Sequence, residues 1–313
     1  MGARWSEDEL VIGEYNDAIH AEVLDDLRIG EHGYKYRILD GLVVPPYVTP
    51  SRYRLSRSIE TRPGDICYVS YPKSGSTWLS YVVVLMVHGG EQPEARTLRS
   101  CLHWVESSWT YPRSKSEIDA LPSPRIFKSH MPYRMALGGD PAKTPCRYVY
   151  IARNPKDVAV SYYFFERDKS WSGHYSGSWE HWLQMFLDGK VQRGDWFEHV
   201  LSWWRNSSAK NILFLKYEDF VRDSSTSVLA RIAKHLGCDL SEAVLQSIKQ
   251  KVTFDEMRNN EFSNMHEIVE FDGFFRKGQI GSWKDQFTPA QSDMFDRVYA
   301  ERMKGSGLEF DFE

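Results

Sequence analysis

The chain has 313 residues, 42% of them hydrophobic and 26% charged, the balance of a globular protein long enough to bury a large core. Its net charge of -4 excludes a general nucleic-acid binder, whose phosphate contacts need a basic excess. A local basic cluster for a small anionic ligand stays open.

In chain order, "MGARWSEDEL" lacks the basic-then-apolar pattern of a secretory leader. Gly2 and Ser6 do fit the permissive myristoylation pattern. No apolar run approaches the roughly 20 residues of a spanning helix, so a soluble, cytoplasmic protein with no membrane partner is expected. Residues 1–60 read as irregular, with "VVPPYVTPSRY" breaking regular structure. "DICYVSY", from Asp65, is a β-rich run stopped by Pro72, and a helix is predicted from Ser76 to about Val87. "RIFKSHMP" (125–132) and "CRYVYIARNP" (146–155) read as strands. "KDVAVSYYFFERD", "SWEHWLQMFLDGK" and "DWFEHVLSWWRNS" read as helices, and Trp196, Val200, Trp203 and Trp204 make a core-facing stripe on the last. "NILFLKYEDF" (211–220) reads as a further strand. "SVLARIAKHLGCDL" is a helix ended by Gly237, and "PAQSDMFDRVYAERM" is a final helix with Pro289 near its start.

Strands alternating with helices imply an α/β fold with a central parallel sheet flanked by helices. Without repeats or a low-complexity linker, a single domain over 1–313 is expected, with its core at 61–304. Cys67, Cys101, Cys146 and Cys238 show no zinc-type spacing and are expected as reduced thiols, with no metal bound.

In parallel sheets ligands bind beyond the carboxyl ends of the strands. Lys73, Lys128, His130, Arg153 and Tyr217 all fall there. The turn "YPKSGSTW" joins a strand end to a helix start, so free backbone N–H groups and the helix dipole favour an anion. Lys73 adds charge, Ser76 and Thr77 add hydroxyls, and Gly75 allows close backbone approach. The lysine precedes the glycine, which is not the Walker arrangement that holds magnesium with a nucleotide. Lys128 and His130, two apart in an extended segment, face the same side, and a histidine there suits general-base work. Arg153 offers a planar fork for phosphate, and with Arg276 and Lys277, just before Gly278, makes a second anion site.

Together "YPKSGSTW", "FKSHMP", "ARNPKDVAVSYY" and "FRKGQIGSWKDQF" resemble, in order and spacing, the motifs of the cytosolic sulfotransferases over residues 60–304. The resemblance implies an α/β domain related to P-loop nucleotide kinases. It implies transfer of a sulfonyl group from 3′-phosphoadenosine 5′-phosphosulfate (PAPS) to a hydroxyl or amine of a small acceptor, with PAP as product and no metal. By the same resemblance Lys73, Ser74, Gly75, Ser76, Thr77 and Trp78 form the 5′-phosphosulfate loop, and Trp78 stacks on adenine. Arg153, Ser161, Arg276, Lys277 and Gly278 form the 3′-phosphate clamp, while Tyr217 and Phe254 contact adenine. His130 is the general base, Lys128 neutralises sulfonyl oxygens and Lys73 serves the leaving group. Trp104, Phe165 and Tyr34 line the acceptor site, whose aromatic walls favour phenols, catecholamines or steroids. Glu166 and Asp168 either favour a cationic amine acceptor or face solvent.

The chain departs from the family at Val252, where a threonine usually contacts adenine. It also carries Lys284, Thr288, Pro289 and Asp293 in place of the dimer motif, leaving monomer or homodimer open. Two other readings remain: a PAP-binding sensor or scaffold without turnover, and a magnesium-dependent kinase, which the non-Walker spacing opposes.

Overall fold

The computed structural model describes residues 26–108, 114–168, 172–264 and 275–313, with Asp168 described for its backbone alone. The Gly2 and Ser6 pattern and the Asp168 side chain lie outside the described residues.

The N-terminal region is more regular than its sequence suggests. Strands β1 (Arg28–Ile29), β2 (Lys35–Leu39) and β3 (Leu42–Val44) form an antiparallel meander. Leu39 pairs with Leu42 across Asp40 and Gly41, both at positive φ, the two-residue hairpin that an Asp-Gly pair encodes. Helix α1 (Pro50–Arg57) follows. Thr49 caps it by accepting from the Arg52 N–H, and Pro50 occupies its first turn, where proline starts a helix instead of breaking one.

The central sheet is parallel, in the order β5-β4-β6-β7: β4 (Ile66–Ser70), β5 (Ile126–Ser129), β6 (Arg147–Ala152) and β7 (Ile212–Lys216). The larger helices are α2 (Ser76–Val87), α4 (Pro155–Asp168), α5 (Trp179–Leu187), α6 (Trp196–Trp204), α8 (Ser227–Leu236), α9 (Glu242–Lys251) and α11 (Pro289–Met303). Short helices are α3 (Lys115–Ala120), α7 (Tyr217–Arg222) and α10 (Phe254–Asn259).

Strand alternation divides the core in two. Cys67, Val69, Tyr148 and Tyr150 face the layer of α4, α5, α6 and α11, whereas Ile66, Tyr68, Val149 and Ile151 face α2, α8 and α9. Trp196, Val200 and Trp203 are buried in the first layer, as their spacing predicts, and Gly237 and Pro289 stand at the helix ends expected of them. At the amino ends of β4 and β5, Arg125 grips Asp65 through Nε at 3.0 Å and Nη2 at 2.5 Å, both side chains fully buried. The four cysteines are free thiols.

The strand expected over 211–220 ends at Lys216. Its partner β6 stops at Ala152, the last registered pair, so the backbone beyond has nothing to bond. Tyr217 instead opens α7, and Glu218 turns inward to accept the Asn154 N–H at 2.7 Å. Among the described residues no helix is long and apolar enough to cross a membrane.

Candidate active site

All four strands of the central sheet end at one cavity of about 440 Å³. The Lys73 turn follows β4, His130 follows β5, Arg153 follows β6 and Tyr217 follows β7. A parallel sheet puts every such end on the same edge.

The turn is bent by two left-handed residues, Lys73 at φ +67 and Gly75 at φ +99. Gly75 stands at the N-cap of α2 without a side-chain cap, so the first helical N–H groups point outward. A Cβ on Gly75 would lie 2.7 Å from Cδ2 of Tyr217, and one on Gly278 would lie 2.2 Å from Cδ2 of Phe254. The hydroxyl of Tyr217 donates to the Gly278 carbonyl at 3.1 Å. Four segments far apart in sequence are thus packed backbone against ring.

Arg153 is fixed by Asp157 at 3.2 Å and donates to the Gln279 carbonyl at 2.8 Å. Asp157 also accepts from Gly281 N, Ser282 Oγ and Trp283 N, so this one carboxylate anchors the loop that carries Arg276, Lys277 and Gly278. Arg276 donates to Ser282 Oγ at 2.9 Å, and Lys277 pairs with Asp285. The Nε atoms of both Arg153 and Arg276 are buried without a hydrogen-bond partner. Burial, then the charges of Arg153 and Arg276, bring the Lys73 ammonium down to about 7. Three crowded basic side chains, the two arginines each with an unpartnered Nε, fit a ligand bearing several negative charges.

His130 Nδ1 lies 2.8 Å from the Ser70 carbonyl. A carbonyl only accepts, so Nδ1 carries the proton and Nε2 keeps its lone pair. Burial, then Lys128 and Arg193, hold His130 well below its ordinary value, in the neutral form a base requires. Its backbone N–H donates to Glu106 at 2.8 Å, and Glu106 also accepts from Ser129 Oγ at 2.8 Å. Lys128 Nζ stands 4.3 Å over the Trp104 ring, which meets His130 edge-on at 5.4 Å. Burial brings Lys128 down to about 7.

Ser76, Thr77, Trp78, Ser161, Phe254, Trp104 and Phe165 also line the cavity, together with Val252 and Thr253. Two expected residues do not. Ser74 is turned inward by the left-handed step at Lys73 and is fully buried. Tyr34 lies in the aromatic core against Trp182 and Tyr175, its hydroxyl accepting the Gln192 N–H at 2.9 Å. The N-terminal region contributes Tyr47 to the cavity wall instead.

Glu166 is no solvent-facing carboxylate. It is fully buried in the cavity wall, where it accepts from Gly173 N at 2.6 Å and Ser172 Oγ at 3.0 Å. Burial pushes it up to about 7. The sequence analysis also missed Glu106, Arg193 and Phe220, whose ring lies 3.8 Å from that of Trp78. Glu106 follows Trp104 by two positions, a signal that was available, whereas "VQRGDW" around Arg193 carries none.

Comparisons with known proteins agree with this arrangement. Residues 63–307 match the family model of the sulfotransferase domain. Rabbit (Oryctolagus cuniculus) Sulfotransferase 1C2 is 36% identical over 268 residues, 82% of this chain and 89% of the relative. Sulfotransferase 1B1 of Mus musculus is 37% identical over 262 residues, 80% of this chain and 86% of that one. The crystal structure of mouse sulfotransferase SULT7A1 complexed with PAP superposes with a TM-score of 0.73 at 30% identity, covering 87% of this chain and 95% of that one. The chain belongs to the sulfotransferase family, and its enzyme class is that of a sulfotransferase.

Proposed function

We propose that the protein moves a sulfonyl group from PAPS to a hydroxyl or amine of a small aromatic acceptor, a phenol, catecholamine or steroid. One observation carries this reading: Lys73, Arg153 and Arg276 share a cavity with a neutral, correctly tautomeric His130. PAPS, when bound, supplies the sulfonyl group and a phosphate leaving group. The helix α2 N-terminus, Ser76 and Thr77 hold the 5′ end, while Arg153, Ser161, Arg276 and Lys277 hold the 3′-phosphate. Trp78, Tyr217 and Phe254 grip the base. Thr253 Oγ accepts the Glu256 N–H as a helix cap, which leaves its proton and one lone pair to replace the contact that Val252 removes.

His130 Nε2 takes the proton of the acceptor group as it attacks. Lys73 and Lys128, charged once anions neutralise their surroundings, stabilise the leaving phosphate and the sulfonyl oxygens. Positioning and charge account for most of the rate, as in phosphoryl transfer. The proposed chemistry calls on no metal. Among the described residues the one group with metal-ligand spacing, Glu31, His32 and His181, lies outside the cavity lining. Labelled PAPS with a panel of phenols, catecholamines, steroids and alkanols tests the reading. Labelled product undiminished by EDTA is expected; no transfer to any acceptor refutes it.

We further propose a single cytoplasmic domain that does not use the family's usual dimer contact. Lys284 pairs with Glu313 of its own chain at 2.8 Å, and Thr288 is engaged as the cap of α11. Sedimentation checks this: a monomer, or a dimer that substitutions at Lys284 and Thr288 leave intact, is expected, and a dimer that they dissolve contradicts it.

A further inference from the structure

The acceptor side of the cavity holds a guanidinium that the chemistry above does not use. Arg193 lies in the cavity wall beside Tyr47 and is 1% exposed. It belongs to neither neighbouring helix, yet its backbone is clamped. Gln192 N donates to the Tyr34 hydroxyl at 2.9 Å, and the Tyr162 hydroxyl donates to the Gln192 carbonyl at 3.1 Å. Arg193 N donates to the Val43 carbonyl at 2.7 Å, and the Tyr71 hydroxyl donates to the Gly194 carbonyl at 2.8 Å. These bonds hold Arg193 at φ +71, a left-handed conformation that non-glycine residues keep only when their surroundings impose it.

The side chain is half satisfied. Nη1 is 3.5 Å from Glu106 Oε1 and 3.3 Å from the Met131 sulfur, whereas Nη2 is buried with no hydrogen-bond partner. Glu106 balances the charge. The Tyr47 hydroxyl also interacts with the guanidinium, yet Nη2 itself still has no acceptor in hydrogen-bonding geometry, so it calls for an acceptor atom and not a second anion.

We propose that Arg193 makes an oxygen-recognition subsite: favoured acceptors carry, besides the group that is sulfonated, a carbonyl oxygen that Nη2 of Arg193 holds. The subsite rests on the reading of this cavity as the acceptor site of a sulfotransferase. It selects because a ligand without the oxygen leaves the buried donor unpaired, a strong basis for discrimination. Glu106 ties the subsite to the base, since one oxygen of that carboxylate meets both Arg193 and the His130 backbone.

The test uses pairs of matched shape: 3- and 4-hydroxyacetophenone against 3- and 4-isopropylphenol. Two readouts are taken, kcat/KM with PAPS and calorimetric binding to the PAP-loaded protein. At least one ketone is expected to be favoured about tenfold or more. Arg193→Met and Arg193→Lys should both bring that ratio to within about threefold of unity. Arg193→Met strands Glu106 and can unfold the protein. Arg193→Lys keeps the charge and removes the fork, and unchanged PAP affinity reports its folded state. The proposal is overturned if the wild type treats each pair alike, if it binds none of the four, or if a folded variant keeps the ratio. Selective binding without any sulfonyl transfer would sink the proposed activity and leave the subsite standing.

Discussion

The two ends of the cavity are built differently. The end proposed to hold the nucleotide is made of contiguous motifs: "YPKSGSTW" contributes a turn, a helix start and a ring, and "FRKGQIGSW" contributes two cations and a glycine. The end proposed for the acceptor is assembled from single residues on unrelated segments, Tyr47, Trp104, Phe165, Glu166 and Arg193 among them. Phosphates demand backbone N–H groups and fixed charge, which only a particular local chain path presents. An aromatic acceptor demands shaped apolar walls, which many residue combinations supply. The first end is therefore written locally, and the second only in the fold.

Substitutions can break or sharpen this contrast. The largest effect is expected between the ends. His130→Ala should cut kcat by about two to four orders of magnitude while calorimetry finds PAP affinity within about threefold of the parent. Near-normal turnover would remove the base assignment. Arg153→Ala should weaken PAP about ten- to a hundredfold, the loss of a charged hydrogen bond and an anion partner, with the acceptor KM steady. Trp104→Ala should do the reverse, raising the acceptor KM roughly tenfold through lost aromatic area with PAP affinity steady. If both variants moved both constants equally, the two ends would not be separable.

The smallest effect is on pH dependence. In the free protein Lys73 is held at about 7, so it loses its charge as pH rises through that value. PAP affinity should fall above pH 7 by at most about tenfold per unit for this one proton. At saturating donor the phosphates restore the ammonium, so kcat should hold to higher pH than kcat/KM for PAPS. Identical profiles for the two would contradict the placement of Lys73 against the donor.

Legibility in the sequence followed the same division. The helix expected from Ser76 to about Val87 is observed over Ser76–Val87, because Gly75 and the apolar run mark its ends. The N-terminal meander was missed although Asp40-Gly41 announces its hairpin, since the prolines of "VVPPYVTP" suggested only disruption. Tyr34 and Tyr47 are both tyrosines of that region, and nothing in the sequence says which one reaches the cavity. The answer depends on Tyr34 being drawn into the core to hold Gln192. The choice between solvent and cavity for Glu166 was not legible for a related reason: its burial comes from Ser172 and Gly173 closing over it.

By itself the sequence determined the parallel-sheet class, the sheet edge that carries the candidate site, and the cations and imidazole that meet there. Strand periodicity and turn chemistry are local properties, and a parallel sheet brings its carboxyl ends together whatever the loops do. Only the tertiary structure decided which tautomer His130 holds, that Asp157 anchors the Arg276 loop, and that Arg193 stands in the acceptor wall with an unpaired nitrogen. Those facts depend on which groups lie within about 3 Å of one another, and chain separation of tens of residues leaves no local trace of that.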